Sequence, residues 1–321
     1  MTDDRTRYRA VEEQVFAHHR AGRYAEGAAL ARAAVPGLPG WRADLAHAVA
    51  CLLALAGRPA EALAELIEAL DAGAWWDRRL LVTDDDLAGL RTLDGFDRLV
   101  EVAHGRASAA AGKPVPPVVR RPAGTPVGVL VALHGAGEEA PDAARCWAAA
   151  VDAGWLLVAV TSTQRSTPTY RSWPDHRIGV RDIASALAAV DASGLPLVAA
   201  GFSAGGRQAV HWALTGPAVA FLVVGPALRP GQFGADLTGP AVRRGLTGRV
   251  LLGDADDEVR DDALTSVAEL RAAGLDCALD RVPGVGHTFP VDFADRLPAL
   301  LAPYAGRRVA RQPAGPIGSP E

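Results

Sequence analysis

Between residues 127 and 305 short apolar runs alternate with helical segments, and no other feature restricts the fold of this chain as much. "VGVLVALHG" (127–135), "WLLVAVTST" (155–163), "LPLVAAGFS" (195–203), "AVAFLVVGPAL" (218–228), "RVLLGDAD" (249–256) and "CALDRVPG" (277–284) read as strands. "APDAARCWAAAVDAG", "IGVRDIASALAAVDASG", "AGGRQAVHWAL", "DDALTSVAELRAAG" and "PVDFADRLPALLAPY" read as the helices that separate and follow them. The strands are apolar on both faces, which suits a parallel sheet covered by helices on each side. Strand–helix repetition of this kind predicts an α/β architecture with a doubly wound, mostly parallel sheet.

The chain upstream has a different grammar. Residues 5–104 are rich in alanine and leucine at helical spacing and almost free of β-branched runs. "AGRYAEGAALARAAV" at 21–35 is echoed by "AGRPAEALAELIEAL" at 56–70, an offset of 35 residues. Glycine after one helix and a new helix a few residues later make a helical-hairpin joint. Two helices per unit of this length resemble tetratricopeptide repeats. The expected organisation is a small all-helical, repeat-like domain over 1–110, a proline-broken linker, the α/β domain over 113–305, and a disordered tail over 306–321.

Composition narrows the function classes. With 321 residues, 49% of them hydrophobic, the chain can build substantial cores. A net charge of −4 gives no electrostatic case for nucleic acid or an anionic membrane. The start, "MTDDRTRYRA", is polar and unlike a signal peptide, and no apolar stretch is long enough to span a bilayer. Cys51, Cys146 and Cys277 are far apart and show neither paired nor metal-ligand spacing, so reduced thiols, a cytoplasmic setting and no metal are expected.

The chemistry starts at "VAAGFSAGGRQAV" (198–210), where Gly201 and Gly205 flank Ser203 in a G-x-S-x-G pattern between a strand and a helix. A turn that lifts a side chain off a strand end is strained. Residues two before and two after it must be tiny, because their Cβ atoms would strike the neighbouring strand and helix. A serine hydroxyl needs a base within hydrogen-bond reach. His18, His19, His47 and His104 lie in the helical region, and His176 sits in a loop ahead of the nucleophile. His211 is eight residues beyond Ser203 on its helix, about 12 Å along the axis. His287, in "GVGHTFP" after the last strand, remains as the base. The acid that orients it comes from "LLGDADDEVR": Asp256 is favoured, with Asp254 as the alternative. The oxyanion of an attacked carbonyl needs two backbone N–H donors. They are expected at Ala204, after the nucleophile, and at Ala136, in the "LHGAGEE" turn (133–139) that His134 braces.

Taken together, "HGAG", "TSTQ", "YRSWPD", "GFSAGG", "GDADDEV" and "GHTF" resemble the α/β hydrolase superfamily over residues 113–305. Within it the likeness is to the compact carboxylesterase, acyl-thioesterase and dienelactone-hydrolase-like group. The chain order Ser203, Asp256, His287 is that of these enzymes. Dienelactone hydrolases carry cysteine where this chain has Ser203, so lactone chemistry is not implied. The resemblance implies an ester or thioester hydrolase working through an acyl-enzyme, with no cofactor and a small-molecule or acyl-group substrate. Tyr170, Trp173 and Phe289 are expected pocket walls. An acyltransferase or peptidase on the same triad is the alternative within this chemistry. A catalytically silent protein that binds a partner through the helical domain is the alternative outside it.

Overall fold

The computed structural model describes residues 2–110 and 114–307. The chain divides into two compact units, Met1–Lys113 with Gln164–Arg171, and Pro114–Thr163 with Ser172–Glu321. Of the tail expected over 306–321, all but the first two positions lie outside the described residues.

The helical unit contains α1 (Thr2–Arg20), α2 (Tyr24–Ala34), α3 (Arg42–Leu55), α4 (Pro59–Asp71), α5 (Arg78–Thr83) and α6 (Phe96–Ala109), with a 3-10 turn at Asp85–Leu90. The repeated words "AGR" fall on equivalent joints. Gly22 after α1 and Gly57 after α3 are both left-handed, at φ 68° and 76°. In each joint the following arginine donates its N–H to the carbonyl five residues back, Arg23 to His18 and Arg58 to Leu53, both at 2.9 Å. This closure satisfies carbonyls that the helix end leaves unpaired. Leu66, Trp76, Leu81, Leu87 and Leu90 are fully buried in the core, and the Trp76 indole N–H donates to the Ala43 carbonyl at 3.0 Å.

Segment Gln164–Arg171 follows the third strand of the sheet in sequence, yet it belongs to the helical unit. The α/β domain expected over 113–305 is therefore interrupted. A polar anchor accounts for this. Buried Asp44 on α3 accepts Thr167 Oγ1 at 2.7 Å and also Thr169 Oγ1, and Asp77 N–H donates to Ser166 O at 2.8 Å. Burial raises the Asp44 carboxyl above the usual carboxylate range. The two threonine hydroxyls oppose that shift by stabilising the charged form.

The second unit is built on seven strands: β1 (Val118–Arg120), β2 (Gly128–Leu133), β3 (Trp155–Val160), β4 (Leu197–Phe202), β5 (Ala220–Val224), β6 (Thr247–Gly253) and β7 (Asp276–Val282). Their order is β1-β3-β2-β4-β5-β6-β7, and only β1 runs antiparallel to its neighbour. The helices are α7 (Ala140–Cys146), α8 (Ala149–Asp152), α9 (His176–Leu187), α10 (Ser203–Thr215), α11 (Ala235–Arg243), α12 (Arg260–Ala272) and α13 (Phe293–Leu301). Every residue of β2 and β3 is buried, and alternate positions feed two cores: Val129, Val131 and Leu133 face one, Leu130 and Ala132 the other. Both faces being covered explains the continuous apolar runs in the sequence. The fold is thus α/β with a doubly wound, mostly parallel sheet, preceded by a small all-helical region. No helix of the described residues is long and apolar enough to cross a membrane.

Parallel strands bring all their carboxyl ends to one edge of the sheet. The strand order reverses between β2 and β4, the place where open α/β sheets form a ligand crevice. Leu133 of β2 pairs with Gly201 of β4, so the residues that follow, His134–Ala136 and Phe202–Ala204, emerge side by side.

Candidate active site

Ser203 has φ 51°, the only positive φ outside glycine among the described residues. It ends the extended run at Phe202 and begins α10. The flanking glycines are required sterically. A Cβ on Gly201 would collide with the Gly205 carbonyl, and one on Gly205 with the carbonyls of Leu133 and His134. A Cβ on Gly206 would lie 2.9 Å from Pro226 Cβ. The Ser203 carbonyl accepts the Ala227 N–H at 3.0 Å, which ties the strained residue to the segment after β5.

Three side chains from three strand ends meet here. His287 Nε2 lies 2.9 Å from Ser203 Oγ, and His287 Nδ1 lies 2.9 Å from Asp256 Oδ2. A carboxylate only accepts, so Nδ1 carries the ring hydrogen and the Nε2 lone pair faces the serine hydroxyl. The Asp256 side chain is fully buried and that of His287 is 16% exposed. The other Asp256 oxygen accepts the N–H groups of Glu258 (3.2 Å) and Val259 (3.3 Å), so both carboxylate oxygens are occupied. Asp254, the alternative acid, pairs instead with Arg281 at 2.6 Å on the surface.

The two loops that carry the imidazole and the carboxylate are stitched together. Asp254 N–H donates to Val282 O and Ala255 N–H to Val285 O, both at 3.0 Å. The approach is possible because residue 253 is glycine: a Cβ there would strike the Val285 carbonyl. Gly225, at φ 46°, sits against the pair itself, and a Cβ on it would lie 3.2 Å from Asp256 Oδ2 and 3.4 Å from His287 Nδ1.

Beside Ser203, the turn after β2 is held rigidly. His134 is fully buried, with Nδ1 2.7 Å from Gly135 O and Nε2 accepting the Ser162 N–H at 3.1 Å. Gly135 N–H donates to Glu138 Oε2 at 2.9 Å, and Gly137 turns the chain at φ 70°. Neither the Ala136 N–H nor the Ala204 N–H donates to another group of the protein among the described residues. Ala204 occupies the first turn of α10, where helical amides have no intrahelical acceptor and the helix dipole favours negative charge.

The expected pocket walls fare differently. Trp173 is fully buried and its indole N–H donates to the His134 carbonyl at 2.9 Å, so it supports the β2 turn from behind instead of lining a pocket. Tyr170 belongs to the helical unit, in the segment anchored by Asp44, and lines a cavity there. Phe289 packs on Phe202, the residue before the serine (5.0 Å between ring centres), and on Phe293 (5.0 Å), and Phe202 in turn lies 4.9 Å from the His287 ring. Phe202 and Gly225 are the parts of the site that sequence reasoning passes over. Phe202 is visible as the residue before the serine, whereas Gly225 carries no local signature. Gly253 does carry one, as the first position of the G-x-x-D-x-x-V pattern that ends on Val259 and favours Asp256.

Residues 9–111 match the family described as A/B hydrolase-like, N-terminal domain. Among curated proteins none matches significantly. An uncharacterized protein from Bacillus cereus is similar in structure at 20% identity, TM-score 0.49, covering 92% of this chain and 99% of that one. Acyl-protein thioesterase 2 from Zea mays (18% identity, TM-score 0.48) and esterase PE8 (18% identity, TM-score 0.46) each match 59% of this chain and 98% of their own. The strand order, with the sharp strand-to-helix turn at Ser203, is that of the α/β hydrolase fold, and residues 9–111 ahead of it match the N-terminal domain family found with such folds.

Proposed function

We propose that the protein is a serine hydrolase of carboxylic esters or thioesters, with Ser203 as nucleophile, His287 as base and Asp256 as the acid that orients it. The observation that carries this reading is the continuous line Ser203 Oγ–His287 Nε2 and His287 Nδ1–Asp256 Oδ2, each step 2.9 Å. The His287 lone pair takes the hydroxyl proton as Ser203 Oγ bonds to the substrate carbonyl carbon. The carbonyl oxygen becomes negative and accepts the N–H groups of Ala136 and Ala204. The imidazolium, held by buried Asp256, protonates the leaving alcohol or thiol as its bond to carbon breaks. Water then adds to the acyl carbon with His287 again as base, the bond from that carbon to Ser203 Oγ breaks, and the imidazolium returns its proton to Ser203 Oγ as the acid leaves. No step needs a metal or organic cofactor.

Hydrolysis of short-chain nitrophenyl esters by the full chain tests the reading. The wild type should turn over with an initial burst of nitrophenol, the mark of an acyl-enzyme, and Ser203→Ala should lose at least about 10³-fold in kcat. Equal rates for the two proteins would overturn it. Transfer to an added alcohol or amine in preference to water would assign an acyltransferase instead.

A further inference from the structure

His47 and Cys51 are one turn apart on α3 and therefore share a face. Asp84, just before the 3-10 turn, points its Oδ2 at both. Nε2 of His47 is 3.1 Å from Asp84 Oδ2, Cys51 Sγ is 3.6 Å from the same oxygen, and Cys51 Sγ is 3.8 Å from His47 Nε2. Three donors around a tetrahedral zinc ion, with bonds of about 2.3 Å to sulfur and 2.0–2.1 Å to nitrogen and oxygen, stand about 3.6 Å apart where sulfur is involved and about 3.3 Å apart where it is not. The triangle on the protein comes within a few tenths of an ångström of that figure on every side. Cys51 Sγ lies about as far from His47 Nδ1 (3.9 Å) as from Nε2, so binding requires the imidazole to turn until its Nε2 lone pair meets the metal.

From this geometry we infer that His47, Cys51 and Asp84 form a zinc-binding site in the helical unit, separate from the triad and independent of the reading proposed for it. Imidazole, thiolate and carboxylate are all zinc ligands, and the thiolate and carboxylate together neutralise a divalent ion in this half-buried setting. The carboxylate is held in place for the task. Its other oxygen accepts the Asp86 N–H at 3.0 Å, and the Asp84 carbonyl accepts Arg91 Nη2 at 2.7 Å. His47, Cys51 and Asp84 all line a cavity of about 360 Å³, so the fourth position of the metal opens on space that a water molecule can fill. Zinc takes cysteine as the thiolate, whereas the free side chain is a thiol. Binding therefore exchanges the thiol proton for the metal: the S–H bond breaks, the S–Zn bond forms, and one proton passes to water.

Cobalt(II) replaces zinc as a visible probe. Chelator-treated full-length protein titrated with Co²⁺ should develop thiolate-to-cobalt charge-transfer absorption that saturates at one equivalent and disappears when Zn²⁺ is added. Cys51→Ala should lose that absorption, and His47→Gln should weaken Zn²⁺ binding at least tenfold. If Cys51→Ala fails to fold, the variant lacking the other two thiols, Cys146→Ala with Cys277→Ala, assigns the band by retaining it. No charge-transfer band in the wild type, or a band that survives Cys51→Ala, would overturn the site.

Discussion

The indole N–H of Trp173 donates to the main-chain carbonyl of His134 across 2.9 Å, between two residues with no solvent exposure. That carbonyl precedes the turn presenting the Ala136 amide beside Ser203, so the tryptophan sets the position of a proposed oxyanion donor without touching substrate. Trp173→Phe keeps an aromatic filling and removes the donor. The expected cost is about 1–3 kcal/mol of stability, read by thermal denaturation. On an ester substrate, kcat should fall several-fold with KM little changed, because the donors act on the transition state.

Asp256 and Asp254 are separated by two positions and by their chemistry. Asp256→Asn keeps the shape of the side chain but offers His287 an amide, favouring the wrong tautomer. The expected loss is about 10⁴-fold in kcat with the folded spectrum retained. Asp254→Asn removes only an exposed pair with Arg281 and should stay within twofold of wild type.

Gly225→Ala tests the packing beneath the pair. The new methyl would press on Asp256 Oδ2 and His287 Nδ1 from 3.2 and 3.4 Å, at a φ that L residues rarely adopt. A drop in Tm together with at least a tenfold loss of kcat is expected, where Gly231→Ala, at a left-handed turn with open space around it, should lower Tm alone.

How much of this was legible in the sequence follows from what each feature depends on. Continuous apolar runs announced strands buried on both faces, and the G-x-S-x-G words placed Ser203 because the elbow's sterics are local. Asp256 and His287 could be named because chain order and strand ends limit the choices. Trp173 is expected as a pocket wall because a tryptophan between a strand and a helix gives no sign of which way it faces. Its burial depends on the His134 carbonyl, 39 residues away in sequence. The expected α/β domain over 113–305 includes 164–171, since nothing local reveals that Thr167 and Thr169 satisfy a buried carboxylate on α3. In the sequence Cys51 stands far from the other cysteines, whereas in the fold its neighbours are a histidine one turn earlier and an aspartate 33 residues on.

His176 and His211 stack with ring centres 4.2 Å apart and planes at 8°. Burial, and then the neighbouring His176, push the His211 imidazole down to about 4. Burial is also the main cause that lowers His176, against the opposing hydrogen bond that its Nδ1–H donates to Gln208 Oε1 at 2.6 Å. In the unfolded chain each titrates near the ordinary value of about 6.5. Above that pH both states hold neutral rings and nothing is lost. As pH falls from about 6.5 toward 4 the unfolded chain takes up protons that the folded chain refuses, so stability drops through that window. His211→Gln should flatten the fall of Tm between pH 7 and pH 4.5 relative to wild type. An unchanged slope would remove this pair from the pH dependence.

The most direct test is covalent. A fluorophosphonate traps an activated serine as its oxygen bonds to phosphorus and fluoride departs. Wild-type protein should take up one equivalent, with the added mass on the peptide bearing Ser203, and labelling should collapse in His287→Ala although the serine is still present. Labelling of wild type no faster than of Ser203→Ala, or undiminished in His287→Ala, would contradict the account.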